Sequence, residues 1–443
     1  MFIERAEILF SGGVNILAEE KFQVIVIGAG VAGSAAAYRL AKAGREVLVI
    51  DRGKAPGAKN MTGGRLYTYA LKALLPDEWQ DAPLEREVTR EMLMMMTPES
   101  SIAIDSTFSV INQLSYTVLR AKLDAWLAEK AEEAGAMLVP ASTVDGLMIK
   151  EGKVCGVKIG DEELEADLVI SAEGVNPLVF ERAGIIKPVE NSNVALGIKH
   201  IFRLPEAVIN DRFNTGSEQG VAMLCAGECT KGISGGAFLY TNKDSISLGL
   251  VVDSLSWKNA KLPIADIAEA LKQHPAISRY IAGGELVEYS AHLIPEGGIS
   301  ALPQLYGDGF MVAGDAAGFV VNSGFTVRGM DYAILSGIAA AETAEEAIKA
   351  GNYSRAALKS YEDRLKQSVL KDMETFKNAH DYMAHTQHVF TTYPMLAASL
   401  MENIYRVDGS PSKRVLGTAR ETVAGKMPYF NVFKDMLKGA RSL

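Results

Sequence analysis

Hydrophobic and polar positions near the start of the chain alternate between buried strands and one helix of small residues. The run Phe22–Gly28 is short and β-branched and ends in glycine, which is typical of a strand buried on both faces of a parallel sheet. Small residues then open a helix that Gly44 closes, and residues 45–51 repeat the strand pattern. The pattern predicts a βαβ unit that follows an extension over residues 1–21.

Later segments repeat these signals at wider spacing. An amphipathic pattern over 116–135 predicts a helix, and the apolar runs 137–139, 166–174 and 310–315 predict three more parallel strands. Alternating positions with glycine-rich turns over 150–167 and 179–299 predict antiparallel strands, with one helix near 264–272. A long alanine-rich helix is expected from Gly329 to about Gly351, and the remainder of the chain reads as helical.

These elements predict an α/β fold with two interleaved domains and a helical end. Residues 22–75, 115–178 and 300–350 would form a discontinuous nucleotide-binding domain. Residues 76–114 and 179–299 would form an inserted antiparallel-sheet domain for a substrate or partner, and residues 351–443 a helical C-terminal region. The methionine-rich run Met92–Met96 is interpreted as a core strand, with a surface that contacts a flat apolar ligand as the alternative.

Charge and cysteine content exclude several classes of function. The chain has 45 Lys and Arg against 54 Asp and Glu, a net charge of −9, which argues against nucleic acid as a partner. Its three cysteines are Cys155, and Cys225 and Cys229 in a predicted loop of the inserted domain. They are too few for a disulfide framework or a four-thiolate cluster, so any cluster would belong to another chain. No apolar run is long enough to span a bilayer. These features predict a cytoplasmic protein, and contact with the inner face of a membrane through an assembled apolar patch stays open.

A glycine fingerprint at the first strand–helix turn indicates dinucleotide binding. Gly28, Gly30 and Gly33 form G-x-G-x-x-G, with Val31 and Ala32 between them. The glycines allow a tight turn and a close approach to a diphosphate, which the helix N-terminus attracts. Asp51 ends the second strand 18 residues beyond the third glycine, where a carboxylate binds ribose hydroxyls. The fingerprint alone is weak, but this strand–helix–strand context makes it specific.

A second motif decides which dinucleotide is expected. Gly309–Asp315 reads as a strand that ends in Gly314-Asp315, and Gly324 follows in a glycine-punctuated segment. This pair of motifs resembles the two FAD fingerprints of glutathione-reductase-type flavoproteins. The resemblance implies that Asp315 binds the ribityl chain and that a helix beginning near Gly324 directs its positive end at the flavin. It also implies that Arg120 reaches the FAD phosphates, although an exposed helix-surface arginine remains the alternative.

Four separated segments narrow the resemblance. Residues 57–67, 236–242, 288–298 and 324–331 are similar to the FixC family, which is related to the electron-transfer-flavoprotein:quinone oxidoreductases. The resemblance implies FAD as cofactor, an electron-transfer flavoprotein as donor and a small ferredoxin-like iron–sulfur protein as acceptor, with a quinone as a further candidate. It names no catalytic side chain, because electron transfer by a flavin requires none, and the sparse Cys and His residues predict no metal site.

The resemblance places FAD between named segments, with isoalloxazine between 63–65 and 324–326. The residues expected to contact FAD are Gly28, Gly30, Val31, Ala32, Gly33, Asp51, Arg52, Asn60, Gly63, Gly64, Arg65, Arg120, Val144, Glu173, Gly174, Gly314, Asp315, Gly324, Phe325 and Thr326.

Three other functions stay open from the sequence. The first is a prenyl double-bond reductase that resembles the geranylgeranyl reductases. The second is a flavin monooxygenase, which Glu173-Gly174 disfavours because those enzymes carry Asp-Gly there. The third is a flavin-free binding protein of the Rab escort type, which the intact glycine fingerprint, Asp51 and Asp315 disfavour.

Overall fold

The computed structural model describes residues 21–58, 64–108, 114–424, 426 and 428–443, with the side chains of 429 and 430 left aside. Its strands are β1 (Lys21–Ile27), β2 (Val47–Ile50), β3 (Gly64–Tyr67), β4 (Leu84–Met96), β5 (Ser101–Thr107), β6 (Ser115–Val118), β7 (Met137–Val139), β8 (Gly146–Lys150), β9 (Lys153–Ile159), β10 (Glu162–Ser171), β11 (Val194–Arg203), β12 (Gln219–Gly227), β13 (Gly235–Thr241), β14 (Ser245–Asp253), β15 (Glu285–Pro295), β16 (Tyr306–Gly307), β17 (Phe310–Val312), β18 (Val321–Asn322) and β19 (Val327–Arg328).

The helices of the described residues are α1 (Val31–Lys42), α2 (Thr68–Leu74), α3 (Arg120–Glu133), α4 (Leu178–Arg182), α5 (Glu206–Phe213), α6 (Ser254–Ala260), α7 (Ile264–Gln273), α8 (Pro275–Ile281), α9 (Met330–Ala350), α10 (Lys359–Leu365), α11 (Val369–Thr375), α12 (Ala379–His385), α13 (Thr392–Tyr405), α14 (Val415–Val423) and α15 (Tyr429–Ser442). The predicted extension over 1–21 lies outside the described residues apart from Lys21, which begins β1.

The first sheet is the nucleotide-binding type that the sequence predicts. Its parallel strands run in the order β17-β10-β1-β2-β7, and β8, β9 and β16 add antiparallel pairs at its margins. The strands β1, β2 and β10 are largely buried because their residues are apolar on both faces. The strand order therefore changes direction at β1: the chain adds β2 and β7 on one side of β1, and then β10 and β17 on the other.

Helices α1 and α9 cross closely on one face of this sheet. Alanines 35–37 of α1 are fully buried, and Gly337 of α9 lies against the start of α1. A Cβ atom at Gly337 would sit 2.4 Å from the carbonyl oxygen of Ala32, so a larger residue there would displace one helix. The crossing holds the N-terminus of α1 in position beside the ends of β1 and β17.

The second sheet is larger and mixed rather than purely antiparallel. Its strands run in the order β15-β11-β14-β13-β12-β4-β6-β3, with β5 paired to β4. The pairs are antiparallel except β12 and β4, which are parallel. One face of this sheet packs its buried residues with α5, α7 and α8 in a separate apolar core, and the other face turns toward the first sheet.

Four details differ from the sequence-based expectations. Residues 115–118 form strand β6, so the predicted helix over 116–135 begins only at Arg120. The segment from Gly324 does not open a helix, because β18 and β19 form a short hairpin and α9 begins at Met330. The strands β3 and β6, which fall within the predicted nucleotide-binding segments, hydrogen-bond into the second sheet. Cys225, expected in a loop, lies in β12 and is buried. The domain boundaries remain a prediction.

Candidate functional site

A cavity of about 650 Å³ lies where the two sheets meet. Ile27, Ile50, Ala172 and Ala313 line it from the carboxyl ends of β1, β2, β10 and β17. In open α/β sheets this edge, beside a change of direction such as the one at β1, is where ligands bind. The volume falls within the range of roughly 300–1,000 Å³ that is usual for small-molecule and cofactor sites.

The glycine fingerprint forms the tightest part of the cavity wall. Gly28 has a φ of +103°, and its amide donates to the carbonyl of Ile50 at 2.8 Å. A Cβ atom at Gly33 would lie 1.9 Å from the carbonyl oxygen of Gly28, so only glycine allows α1 to start this close to β1. Gly30, Val31 and Ala32 line the cavity at the N-terminus of α1, whose amide groups and dipole favour an anion.

Asp51 closes one end of this wall. Its carboxylate accepts hydrogen bonds from the amides of Ala29 at 2.7 Å and Gly53 at 2.6 Å, which fix its orientation. Each carboxylate oxygen retains a further lone pair for a hydroxyl donor. Arg52 and Glu173 line the cavity nearby, and burial raises the pKa of the Glu173 carboxyl, which accepts bonds from Ser171 and from the Val179 amide.

Arg120 lies inside the protein, held by a carboxylate one helical turn further on. Its Nε and Nη2 donate to the two oxygens of Asp124 at 2.7 and 2.8 Å, and Asp124 is completely buried. Arg120 lines the cavity and is close enough to Asp315 to lower the pKa of that carboxyl, although burial has the larger effect and raises it. The surface-arginine interpretation is therefore wrong, whereas a contact from Arg120 to a phosphate stays a prediction.

The cavity face of the second sheet is organised in transverse rows. One row crosses five strands in register, because Leu93 pairs with Leu224, Leu224 with Phe238, Phe238 with Gly249 and Gly249 with Lys199. Residues two positions along these strands also line the cavity, among them Met95, Val251 and His292. The Met92–Met96 run is thus divided by the pleat: Met92, Met94 and Met96 belong to the apolar core, and Leu93 and Met95 face the cavity.

The β11–β15 end of this face carries titratable side chains that the sequence-based site did not include. Burial, and the nearby Arg120, lower the pKa of Lys199 to about 7. Burial also lowers the pKa of His292, and raises that of Glu296 to about 7. His292 and Glu296 fall within a segment that resembles FixC proteins, which was the available signal, but nothing in the sequence pattern distinguishes Lys199 from an exposed strand residue.

The hairpin of β18 and β19 forms the opposite rim. Ser323 and Thr326 bond each other through their hydroxyl groups, and the amide of Gly324 donates to Asn322 Oδ1 at 2.9 Å. Asn322 also donates to Glu296 at 3.4 Å, which ties the hairpin to the end of β15. Phe325 is 60% exposed and lines the cavity.

The structure brings together most of the residues that the sequence predicted for the site. Those that line the cavity are Gly28, Gly30, Val31, Ala32, Asp51, Arg52, Gly64, Arg65, Arg120, Val144, Glu173, Gly174, Asp315, Gly324 and Phe325. Gly33, Gly314 and Thr326 support the wall without lining it. Asn60 and Gly63 lie outside the described residues.

Comparison with known proteins assigns the family. Over 96% of its length the chain is 44% identical to the whole of protein FixC from Salmonella typhi. This chain belongs to the FixC family. Over a similar span it is 45% identical to the whole of a probable electron transfer flavoprotein-quinone oxidoreductase, YdiS, from Escherichia coli. It is accordingly an FAD-dependent oxidoreductase of the type related to electron-transfer-flavoprotein:quinone oxidoreductases.

Three family descriptions match parts of this FixC-family chain. Residues 23–107 match the FAD-dependent oxidoreductases, residues 194–294 match the ubiquinone-binding part of the ETF-QO proteins, and residues 379–443 match the ETF-QO/FixC family C-terminal domain. Among solved structures, a geranylgeranyl bacteriochlorophyll reductase-like protein from Thermoplasma acidophilum has a TM-score of 0.70. That protein is 21% identical and covers 95% of this chain and 99% of its own, so it shows a shared fold.

The site suits FAD, the cofactor of this family. The space that a Cβ atom at Gly33 would fill and the amide groups that begin α1 match a diphosphate. The carboxylates of Asp51 and Asp315 match two sugar-like hydroxyl groups. When bound, FAD accepts and releases electrons singly or in pairs. The residues that line the cavity would orient the cofactor and set the charge around it. Among the described residues, no group of three or more His, Cys, Asp or Glu is placed to hold a metal ion.

Proposed function

We propose that this FixC-family protein accepts electrons from an electron-transfer flavoprotein through FAD and delivers them to a quinone and to a small ferredoxin-like iron–sulfur protein. The FAD contacts would be those that the sequence predicted and the cavity brings together. The relative YdiS is described as a probable electron transfer flavoprotein-quinone oxidoreductase, which supports this donor and this acceptor class. With three cysteines in the chain, a four-thiolate cluster has to come from a second protein.

The continuity of one cavity carries the quinone part of the proposal. The wall passes from the glycine fingerprint to an apolar arm made by Leu93, Met95, Leu224 and Phe238, within or beside the segment that matches the ubiquinone-binding description. Tyr382, Met383, Phe390 and Tyr393 of the C-terminal region line the same cavity. An arm of aromatic, thioether and aliphatic groups suits a flat apolar ring.

The C-terminal helices supply the surface proposed for the iron–sulfur partner. Phe433 and Met436 of α15 are each 66% exposed, and Leu416 of α14 is 76% exposed. The residues Lys434, Lys438 and Arg441 flank the apolar side chains of α15. A basic, partly apolar surface attracts an acidic partner and adds apolar area once the partner has docked. No helix of the described residues is long and apolar enough to cross a membrane.

Anaerobic mixing tests the order of transfer. The FAD-loaded protein is mixed with chemically reduced electron-transfer flavoprotein, and bleaching of its flavin band is followed by stopped-flow absorbance. A water-soluble quinone is then added, and return of the band reports the second transfer. Failure of every electron-transfer flavoprotein tested to bleach the flavin would contradict the proposed donor.

One variant separates the acceptor from the donor step. Leu224→Trp fills the apolar arm, so we expect bleaching to persist and reoxidation by quinone to slow at least about tenfold. Ile104→Trp is the matched control, because Ile104 pairs with Leu93 in the same transverse row but lies outside the cavity and is 56% exposed. Equal reoxidation rates in the two variants would place the quinone elsewhere. Turnover of a prenyl lipid in place of quinone would instead support the prenyl reductase alternative.

A further inference from the structure

Lys199 is a buried lysine that has no hydrogen-bond or ion-pair partner among the described residues. It is 4% exposed and lines the cavity. Within the described part of the chain, no hydrogen-bond acceptor or carboxylate lies within bonding distance of its Nζ atom, which is 5.3 Å from the centre of the Phe238 ring. Burying an ammonium group without an acceptor is costly, so native proteins rarely retain one without a use.

The sheet register places a second unpartnered polar group beside it. Lys199 on β11 lies directly opposite Ser290 on β15, so the two side chains share one face of the sheet. The hydroxyl of Ser290 is buried and has no hydrogen-bond partner among the described residues. On the other side Gly249 stands opposite Lys199, and a Cβ there would lie 2.3 Å from the Phe238 ring. Gly249 thus lets that ring reach toward the lysine.

Cationic groups from both sheets converge on this part of the cavity. Arg120 comes from α3, Lys199 from β11, and the N-terminus of α1 adds the positive end of its dipole. The anionic groups near these cations are Asp315 and, on β15, Glu288. His292 lies on the same strand as Glu288. Arg120 is already paired with Asp124, whereas Lys199 has no ion-pair partner in the part of the chain that the structure describes. Among the described residues the cavity therefore offers Lys199 no hydrogen-bond acceptor, and a ligand with an anionic oxygen would supply one.

We propose that Lys199 is an FAD-binding residue supplied by the second sheet, whose ammonium group binds an anionic oxygen of the cofactor across the cavity. Two parts of FAD offer such an oxygen: the diphosphate, and the ring edge that gains negative charge on reduction. The inference rests on FAD as the family's cofactor and is independent of the donor and the acceptor.

Two measurements distinguish these oxygens in the Lys199→Met variant. The first is the dissociation constant of oxidised FAD, from fluorescence titration of the flavin-depleted protein. The second is the midpoint potential of bound FAD, from anaerobic dye equilibration. Loss of a charged hydrogen bond to the diphosphate predicts an FAD affinity about 10- to 100-fold weaker. Loss of a contact at the ring edge predicts a lower midpoint potential. Either change supports the proposal.

The pH profile provides a readout that a purely structural role would not produce. A lysine side chain with a pKa of about 7 is mostly the neutral amine above that pH and must take up a proton to bind an anion, so FAD affinity should fall as pH rises from 7 to 9. In Lys199→Arg the charge is permanent and this part of the pH dependence should disappear. Glu296 titrates in the same range, and Arg120, Glu288, His292 and Asp315 are present in both proteins, so the difference between wild type and Lys199→Arg is diagnostic.

Lys258→Met is the matched control, because Lys258 is exposed on α6 and does not line the cavity. Thermal unfolding of each flavin-depleted protein separates loss of folding from loss of binding. Lys199→Arg retains a cation, so we expect its affinity at pH 6 to stay within about threefold of wild type. Unchanged FAD affinity and unchanged potential in Lys199→Met would overturn the proposal, even if quinone turnover fell, since that result would assign the lysine to the acceptor.

Discussion

The pairing of Arg120 with Asp124 makes a sharp prediction about stability and cofactor binding together. In the Asp124→Asn variant the fully buried side chain keeps its shape but loses its charge, while Arg120, whose side chain is 19% exposed, keeps its own. Two hydrogen bonds of 2.7 and 2.8 Å are affected, and each charge-assisted bond contributes about 1.5–3 kcal/mol. Breaking one partner of a buried ion pair costs about 3–5 kcal/mol overall. We therefore expect the free energy of unfolding to fall by about 3 kcal/mol.

The same substitution should reach the cofactor indirectly. Arg120 also faces Asp315, so without the Asp124 carboxylate its guanidinium would turn toward the nearest remaining anion. We expect FAD affinity to fall at least about tenfold, because the arginine would pair with Asp315, itself a predicted FAD contact, and would no longer be held in the orientation that Asp124 sets. Urea unfolding of the flavin-depleted protein measures the first effect, and fluorescence titration with FAD measures the second.

Two controls isolate the contribution of burial. Lys359 and Asp363 have the same spacing of four residues and a shortest separation of 2.6 Å, but both are about half exposed. Asp363→Asn should therefore leave the free energy of unfolding almost unchanged, because solvent screens this exposed pair. The double variant Arg120→Met/Asp124→Leu replaces the ion pair with apolar groups, and we expect near-normal stability together with weak FAD binding. Equal losses of stability in Asp124→Asn and Asp363→Asn would refute the reasoning.

Three further predictions follow from the site. In Gly33→Ala the new methyl group meets the Gly28 carbonyl, so FAD affinity measured by titration should fall about 10- to 100-fold. Gly146→Ala should bind FAD normally, because no atom lies within 4 Å of the new methyl group. Burial raises the pKa of Glu296 to about 7, so wild-type stability should decline as pH rises from about 4.5 through 7. Glu296→Gln should lose this decline, which amounts to at most about 3 kcal/mol in urea unfolding. Equal slopes of unfolding free energy against pH in the two proteins would contradict the prediction. Phe325→Ala should change the unfolding free energy by under about 0.5 kcal/mol because Phe325 is exposed, but it should raise the KM for quinone because Phe325 lines the cavity. An unchanged KM would show that Phe325 does not contact the quinone.

The parts of the site that depend on local sequence were the parts that could be predicted. Gly28, Gly33 and Asp51 act within one strand–helix–strand unit, so their spacing alone indicates the nucleotide cradle. The ion pair of Arg120 with Asp124 was not predicted, although a spacing of four residues places the two side chains on one face of a helix. Lys199 is different, because its burial depends on the register of β11 with β14 and β15, and on the absence of a side chain at Gly249.

Two misassigned segments show where local signals compete. Residues 115–118 contain Tyr, Thr and Val, which favour a strand, but the amphipathic pattern that follows them extends plausibly back over this stretch. Gly324 and Gly329 both precede apolar residues, and either could begin a helix. The hairpin pairs Val321 with Arg328 and Asn322 with Val327, and those pairings delay the helix to Met330. Strand pairing decided both cases: β6 pairs with β3 and β4, and β18 pairs with β19.

The parallel pairing of β4 with β12 has a consequence for biosynthesis. As the chain leaves the ribosome, β4 emerges well over a hundred residues before β12, the strand that pairs with one of its edges. The nucleotide-binding sheet is likewise incomplete until β17 has been synthesised at residues 310–312. Such long sequence separations slow folding, and an uncovered strand edge can pair with another chain. The methionine-rich strand is therefore the segment of the nascent polypeptide most in need of a chaperone, and expression at low temperature with added chaperone should increase the soluble yield.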